Sequence, residues 1–439
     1  MSSIDPRPGI RRSGRSGRVF DRVLDALSEV DAGKPADLSV RHVEARSRDL
    51  GSNERRELRE LVYGLLRARR HVRDVLARAA SAERKRLDEL EPPVRLRLEV
   101  LAYRTDADGS VEALDAMDPK LHRRFAAVFA RIAARRLPRK QTGDPDAIRH
   151  NLPDWLWTRL VDGLGAEAAE RIASALRSRA PVTVRAGDVE SARRDLAAEG
   201  IEARPTERSP VGLVLAAGTD LRSSAVFKAG RIELQDEGSQ LLGLAAAERG
   251  RGKVVLDACA GAGGKTLQLV ETAGRVVAVE PDEAKRKELR RRLERVGAAV
   301  TIEATELEAY AERGAQQFDV VLVDAPCTGT GTLRRHPELS LRLQPSDLER
   351  EVARQKRLAA AALRCLKPGG QLIYATCSVL REENEDVVAY VLAEAAGVRP
   401  APVFDGALAE RVGGGPSVRI GPGPADGPDG FFVSAMTRS

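Results

Sequence analysis

The stretch FDVVLVDAPCTGTGT, residues 318–332, predicts a buried strand that ends abruptly in a loop of small residues. Asp324 and Cys327 lie where that strand ends, and Cys377 directly follows a second predicted strand, Gln371 to Thr376. In open α/β sheets, ligands bind beyond the carboxyl ends of the strands. Adjacent parallel strands lie about 5 Å apart. If these two strands are neighbours, the two cysteines face one pocket.

Strand and helix patterns alternate around this stretch, from about Lys253 to the C-terminus. The alternation predicts an α/β fold with a doubly wound, Rossmann-like parallel sheet, in a domain over residues 236–439. Predicted strands are Val254–Asp257, Val276–Glu280, Val300–Ala304, Asp319–Val323 and residues 430–436; predicted helices are Asp282–Val296, Asp347–Leu366 and Glu382–Glu394. The Gly/Pro-rich tract at residues 413–430 predicts a mobile or lid-like loop.

The N-terminal half has different patterns, which divide it into three predicted segments. Residues 1–17 predict a disordered basic arm, and residues 18–140 have the helical spacing of an all-α domain. Residues 141–235 predict a helical linker and a small, RRM-like α+β subdomain. Basic residues crowd the helical domain at Arg67, Arg69, Arg70, Arg135, Arg136, Arg139 and Lys140. These residues form either a solvated helix face or a phosphate-binding surface.

The composition bounds the partners and the compartment. The 439 residues contain 72 Lys and Arg against 65 Asp and Glu, a net charge of +7 with a pI near 9.4. This excess places a nucleic acid ahead of a small neutral substrate. No apolar run reaches the length of a membrane span and no apolar leader is present, so we expect a cytoplasmic protein without a membrane. Four cysteines without CxxC spacing predict free thiols and no metal site. We expect a monomer.

The first strand-to-helix turn of the α/β domain carries the small residues that let a backbone approach a ligand closely. It runs from Asp257 to Lys265 through Ala258, Cys259, Ala260, Gly261, Ala262, Gly263 and Gly264. The turn has neither P-loop spacing nor a full GxGxxG. Glu280 ends the second predicted strand, where an acid hydrogen-bonds ribose hydroxyls. The pattern predicts an adenosine-type cofactor, leaving NAD, S-adenosylmethionine and a scaffold without ligand all open.

The two strand-end cysteines indicate a particular chemistry. Carbon-5 of cytosine becomes nucleophilic when a thiolate adds to carbon-6, and it can then accept a methyl group from a sulfonium donor. Loss of the carbon-5 proton releases the thiolate, and Asp324 would hold the ring nitrogen and amino group meanwhile. Alternatively, Cys327 and Cys377 are merely small buried residues. Cys365 is predicted to be a core residue, whereas Cys259 fits either a core or a cofactor site.

With these residues in view, the sequence resembles the Sun (RsmB/NSUN) family of RNA cytosine-5 methyltransferases. The matching stretches between about Arg231 and Ser439 are QDEGSQ, LDACAGAGGKT, VVAVE, FDVVLVDAPCTGTGTLRRHPEL, LKPGGQLIYATCSVLREENEDVV and DGFFVSAM. Upstream, ELVYGLLR and LPDWL resemble the bacterial ribosomal-RNA branch, whose N-terminal domain is similar to the antitermination protein NusB. The resemblance implies S-adenosyl-L-methionine as cofactor and RNA, foremost 16S ribosomal RNA, as substrate.

The resemblance also implies roles for individual residues. Cys377, in the TCS motif, would be the nucleophile, and Cys327, in PCTGTG, would help to release the product. Lys265 matches a family lysine at the active site, Asp324 matches a residue that contacts base and cofactor, and Glu280 matches the ribose-binding acid. The remaining candidates for cofactor binding are Arg286, Thr305 and Pro326.

The sequence departs from the family pattern mainly on the cofactor side. The usual AAPGGKT turn is AGAGGKT here, and Thr305, between Glu303 and Glu306, stands where an acid is expected. The family's RVN is Val184-Arg185-Ala186. Because a proline that fixes φ is lost from the turn, a non-catalytic RNA-binding assembly factor stays open. A cytosine-5 methyltransferase of transfer RNA is a separate alternative. A DNA methyltransferase would use Cys327 as nucleophile, but no recognisable DNA-reading insert separates the two cysteines.

Overall fold

The computed structural model describes residues 15–138, 143–216, 219–221, 223–314, 317–424 and 426–439. The predicted basic arm lies outside these residues up to position 14, as do Arg139 and Lys140 of the predicted basic surface. Contacts within the chain separate it into two compact units, Met1–Trp157 with His336–Arg342, and Thr158–Arg335 with Leu343–Ser439. The domain boundaries predicted at residues 140 and 235 stay predictions.

The first unit is all-α, as predicted. Its helices are α1 Arg15–Asp31, α2 Ala36–Arg46, α3 Ser52–Ala82, α4 Pro92–Asp108, α5 Leu114–Met117, α6 Pro119–Arg124, α7 Ala126–Ala133 and α8 Pro145–Arg149. The long helix α3 has apolar residues at helical spacing, which bury Leu58, Leu65 and Leu66 completely in the core of this unit. The similarity of the unit to NusB stays a prediction.

One arginine of the predicted basic surface lies inside the helical unit. Arg69 is 2% exposed, and its guanidinium pairs with Asp31 at 2.5 Å and with Glu99 at 2.6 Å. A buried guanidinium requires such partners because an unpaired charge in the interior is costly. Both sequence interpretations, a solvated face and a phosphate-binding surface, are therefore wrong for Arg69.

A small antiparallel sheet follows two helices at the start of the second unit. The elements are α9 Asp154–Leu164 (which begins in the first unit), α10 Ala166–Arg177, β1 Val182–Ala186, α11 Val189–Ala198, β2 Ala203–Pro205, β3 Gly212–Leu215, α12 Ala225–Lys228 and β4 Ile232–Leu234. The strand order is β2-β3-β1-β4. Leu196 of α11 packs with Val184 and Leu213 in a separate core. The predicted small α+β insert is confirmed.

A larger, mostly parallel sheet completes the second unit. Its elements are α13 Glu237–Arg249, β5 Val254–Asp257, α14 Thr266–Leu269, β6 Arg275–Val279, α15 Glu283–Val296, β7 Thr301–Glu303, α16 Leu307–Glu312, β8 Phe318–Asp324, α18 Pro345–Cys365, β9 Leu366–Thr376, α19 Glu385–Glu394, β10 Val398–Ala401, α20 Gly406–Val412, β11 Ser417–Ile420 and β12 Phe431–Arg438, while α17 Leu339–Arg342 belongs to the first unit. The strand order is β10-β12-β9-β8-β5-β6-β7, with β11 paired to β12. The central strands are apolar because helices cover both faces of the sheet. The predicted Rossmann-like α/β fold is confirmed.

Two predicted elements differ from the structure in ways that affect the site. The Gly/Pro-rich tract contains β11, and Val418 and Ile420 of that strand are buried, so the prediction of a mobile loop is wrong there. The flanking glycines and prolines obscured a strand of only four residues. Helix α19 begins at Glu385 and not at Glu382, because Glu383 and Asn384 bond to neighbouring loops.

Within the ranges given above, no helix combines the length and the apolar character needed to cross a membrane.

Candidate active site

Two thiols meet at the carboxyl edge of the parallel sheet. β8 and β9 are parallel neighbours, with Asp324 opposite Ala375. Cys327 lies in the loop after β8, Cys377 directly follows β9, and their Sγ atoms are 3.3 Å apart. Both side chains are only partly buried. The prediction that these two cysteines come together is confirmed.

Cys327 is held in its thiol form. Its hydrogen bond with Cys377 raises the pKa of Cys327 well above the ordinary value, and burial adds to this effect. Cys327 can therefore donate its proton to the neighbouring sulfur at neutral pH. The pKa of Cys259 is also raised, by burial and then by the charges of Asp257 and Asp324, so its thiol is unreactive. Cys365 is fully buried, which confirms its predicted place in the core.

A buried ion pair joins the first turn of the sheet to the end of β8. Lys265 Nζ donates to Asp324 Oδ2 at 2.5 Å, and the lysine side chain is 10% exposed. Burial lowers the pKa of Lys265, but the charge of Asp324 and the hydrogen bond to it outweigh burial, so the pKa is raised. Cys377 acts electrostatically on the same ammonium group. Lys265 thus stays charged on the Cys377 side of the thiol pair.

Asp257 ends β5 with one carboxylate oxygen unused. The hydroxyl of Thr266 donates to its Oδ2 at 2.6 Å, whereas Oδ1 has no hydrogen-bond partner among the described residues. Burial raises the pKa of Asp257 to about 6, against the opposing effect of the Thr266 hydrogen bond. A buried carboxylate oxygen without a partner is unfavourable unless a ligand supplies a donor.

Two glycines shape the turn after Asp257. Gly261 has φ +56° and Gly263 has φ +89°, both in the left-handed region that glycine adopts without strain. The backbone N–H of Gly261 donates to Glu280 Oε2 at 2.9 Å, and that of Asp282 donates to Glu280 Oε1 at 2.8 Å. Glu280 therefore anchors the turn to the end of β6 while its remaining lone pairs stay available. The backbone N–H groups of Ala258 and Ala260 bond to Leu322 and Val279 of the neighbouring strands.

The other predicted cofactor residues lie at the same edge of the sheet. Arg286 Nη1 donates to the carbonyl oxygen of Glu280 at 2.8 Å. Thr305 follows β7, and its hydroxyl accepts a long hydrogen bond of 3.4 Å from Arg313. Pro326 follows β8, and its carbonyl oxygen accepts from the side chain of Gln355 at 2.9 Å. The ends of β5, β6, β7 and β8 thus contribute to one region.

Sequence reasoning missed a buried charge network behind the thiols. Arg334 and Asp429 form an ion pair with exposures of 0% and 1%. Arg335 bridges Asp429 at 2.5 Å and Asp236 at 2.7 Å. The network joins the loop after Cys327 to the Gly/Pro-rich tract and to the start of α13. Its signal in the sequence was a pair of adjacent arginines directly after PCTGTGTL.

Fold and site together define a class of protein, a Rossmann-like methyltransferase domain preceded by a small α+β sheet. Residues 244–437 match the family model described as 16S rRNA methyltransferase RsmB/F. Residues 152–222 match the ferredoxin-like domain of RsmF/B-like methyltransferases. The chain belongs to the RsmB/F methyltransferase family.

Known proteins of similar sequence and structure agree with this assignment. The chain is 29% identical to the probable ribosomal RNA small subunit methyltransferase B of Bacillus subtilis, over 96% of this chain and 98% of that protein. It is 36% identical to the ribosomal RNA small subunit methyltransferase B of Pasteurella multocida, over 53% and 54% of the two chains. A methyltransferase homolog protein from Pyrococcus horikoshii superposes with a TM-score of 0.57 and 25% identity, covering 68% of this chain and all of that one (100%).

Proposed function

We propose that this protein methylates carbon-5 of a cytosine in RNA, foremost 16S ribosomal RNA, with S-adenosyl-L-methionine as methyl donor. The observation that carries this proposal is the approach of Cys327 and Cys377 to 3.3 Å beside the Lys265–Asp324 ion pair. A single buried cysteine would fit many scaffolds, but two thiols at adjacent strand ends suit a reaction that needs one nucleophile and one proton carrier. We infer that the protein works in the cytoplasm as a monomer.

The turn after β5 fits the proposed cofactor. Oδ1 of the buried Asp257 has no hydrogen-bond partner in the described part of the chain and could accept from a ligand, and the glycines leave the backbone open to a ligand. In our proposal Glu280 binds the ribose hydroxyls, Thr305 and Arg286 lie on the adenine side, and the residues from Ala258 to Gly264, with Pro326, enclose the remainder. S-adenosylmethionine, when bound, supplies an electrophilic methyl group.

The nucleophile in this proposal is Cys377. Its sulfur, as thiolate, forms a bond to carbon-6 of the cytosine, and the electron pair of the carbon-5–carbon-6 double bond becomes available at carbon-5. Asp324 accepts from the amino group of the ring and is held in place by Lys265. Once carbon-5 has gained the methyl group, it carries one proton too many.

Cys327 acts at the last step. A base removes the proton from carbon-5, the double bond re-forms, and the carbon–sulfur bond to Cys377 breaks. Cys327 contacts Cys377 and is the group best placed to assist this release. The product is 5-methylcytosine, and Cys377 leaves as a thiolate, the form in which it attacked.

A second candidate is a non-catalytic RNA-binding assembly factor, and the altered AGAGGKT turn is the observation that favours it. Calorimetric titration with S-adenosylmethionine separates the two: the proposed enzyme binds the cofactor, whereas no heat at high concentration would favour the assembly factor. Bisulfite sequencing of ribosomal and transfer RNA from a deletion strain then tests the substrate. Loss of one protected cytosine in 16S RNA supports the proposal, loss in transfer RNA reassigns the substrate, and an unchanged pattern contradicts it.

A further inference from the structure

Glu383 is a buried carboxylate beneath the thiols with no part in the steps above. It lies in the turn between β9 and α19 and is fully buried. Its Oε1 accepts from the backbone N–H of Thr328 at 2.8 Å and from Gln355 Nε2 at 3.0 Å. Its Oε2 accepts from the Thr328 hydroxyl at 2.5 Å. Burying a carboxylate away from water costs free energy, so the position of Glu383 requires an explanation.

Glu383 and its partner Gln355 contact the residues directly before and after Cys327. Thr328 follows Cys327, and Gln355 donates to the carbonyl oxygen of Pro326, which precedes it. On the other side, the backbone carbonyl of Glu383 accepts from the hydroxyl of Tyr374 in β9 at 2.6 Å. One residue in the turn after Cys377 thus fixes the loop that carries Cys327.

The donors around Glu383 suit its charged form. The backbone N–H of Thr328 can only donate to Oε1, and the Gln355 amide group that donates to the same oxygen also donates to the carbonyl oxygen of Pro326. The Thr328 hydroxyl donates to Oε2. Burial raises the pKa of Glu383 above its ordinary value, and hydrogen bonds from Ser378, Thr328 and Gln355 reduce that rise without cancelling it.

The charges near the two sulfurs are arranged unequally. The charge of Glu383 acts on Cys327, after the effects of Cys377 and of burial. Tyr374 also faces Cys327, and it is neutral because burial raises its pKa. Lys265, with its partner Asp324, lies instead on the Cys377 side. A negative charge beside Cys327 therefore favours the protonated form of that thiol.

We propose that Glu383 is a positioning residue that decides which of the two thiols acts as nucleophile: it holds the Cys327 loop in place and puts a carboxylate charge beside that thiol, so that the attack on the base falls to Cys377. This deepens the proposed function and rests on it for the roles of the thiols. Glu383 itself does not touch the reacting atoms, since Thr328 and Gln355 fill its hydrogen-bonding positions.

The test measures alkylation of Cys327 by iodoacetamide against pH in the full chain with Cys377→Ala, by mass spectrometry of the Cys327 peptide. Glu383→Gln keeps the shape and removes the charge. We expect it to lower the pH midpoint of alkylation by about 1 unit, and so to speed alkylation up to about 10-fold below the midpoint. No RNA or cofactor is needed, so this measurement can succeed or fail independently of the methylation assay.

Two matched variants separate charge from loop geometry. Thr328→Val removes one hydrogen bond and keeps the charge, so its midpoint should match that of the parent. Glu383→Asp keeps the charge with a shorter reach and should also retain the midpoint. An unchanged midpoint in Glu383→Gln, or an equal shift in Thr328→Val, overturns the proposal. Should Glu383→Gln fail to fold, the proposal then stands or falls on the other two, since a lowered midpoint in either contradicts it.

Discussion

The loops that carry the two thiols and the turn after β5 lie at one edge of the same sheet, yet they are built in opposite ways. Around the thiols, the backbone N–H of Gly331 donates to the carbonyl oxygen of Cys377 at 2.9 Å, and Thr376 donates to Asn384 at 2.6 Å. In the turn, Asp257 keeps a buried oxygen without a partner among the described residues. The contrast indicates a reactive side that is organised in advance and a binding side that a ligand completes.

Replacing the proposed nucleophile should have the largest effect of any substitution in the loops that carry the two thiols. Cys377→Ala should lower methyl transfer at least about 10⁴-fold, because the covalent route is lost altogether. Cys365→Ala, in the core at the end of α18, should retain activity within about 2-fold and serves as the control. The assay is transfer of labelled methyl groups to RNA. Activity close to that of the parent in Cys377→Ala would remove the role assigned to this sulfur.

Breaking the charge network behind the thiols should cost the most stability. Arg334→Ala leaves Asp429 buried without its main partner, so the free energy of unfolding should fall by about 3–5 kcal/mol in urea titrations. The exposed pair of Arg171 and Glu167 provides the control, and Arg171→Ala should change stability by less than about 0.5 kcal/mol. Equal effects of the two substitutions would mean that the network does not brace the loop.

The buried carboxyl group of Asp257, in the turn after β5, should make the stability of the protein depend on pH. The pKa of Asp257 is about 6 in the folded chain against 3.8 as the reference. The folded state therefore holds this proton more tightly, and stability falls as pH rises through that window, by about 3 kcal/mol in all. Asp257→Asn lacks this slope and should also bind S-adenosylmethionine more weakly. A difference between the two proteins that stays constant from pH 4 to pH 7 in urea titrations would contradict the expectation.

The glycines of the turn offer the mildest test, with a matched pair of substitutions. Gly263→Ala combines a left-handed φ with a Cβ that would overlap Leu289 Cδ1, and should cost about 2 kcal/mol of stability. At Gly264 the contact of an added Cβ would be Arg292 Nη1 at 4.0 Å, so Gly264→Ala should cost less than about 0.5 kcal/mol. Thermal unfolding of the two variants measures both, and equal costs would show that the turn is less constrained than its geometry indicates.

Local patterns in the sequence predicted the sheet and the meeting of the thiols well. The apolar strands ending at Asp324 and Thr376 are long and clear, and parallel neighbours bring their ends together whatever the loops do. The sequence did not predict the buried position of Arg69, because its partners Asp31 and Glu99 are distant along the chain. The strand Ser417–Ile420 was missed because it depends on pairing with β12. The role of Glu383 was not predicted for the same reason, since its hydrogen-bond donors Thr328 and Gln355 lie in other elements.

The most direct test of the central claim uses Cys327→Ala with RNA and S-adenosylmethionine, analysed on a denaturing gel. If Cys377 attacks cytosine and Cys327 serves the release, this variant should accumulate a covalent protein–RNA band that is absent from Cys327→Ala/Cys377→Ala. A band that persists in the double variant, or its absence from Cys327→Ala together with undiminished turnover, would contradict the account.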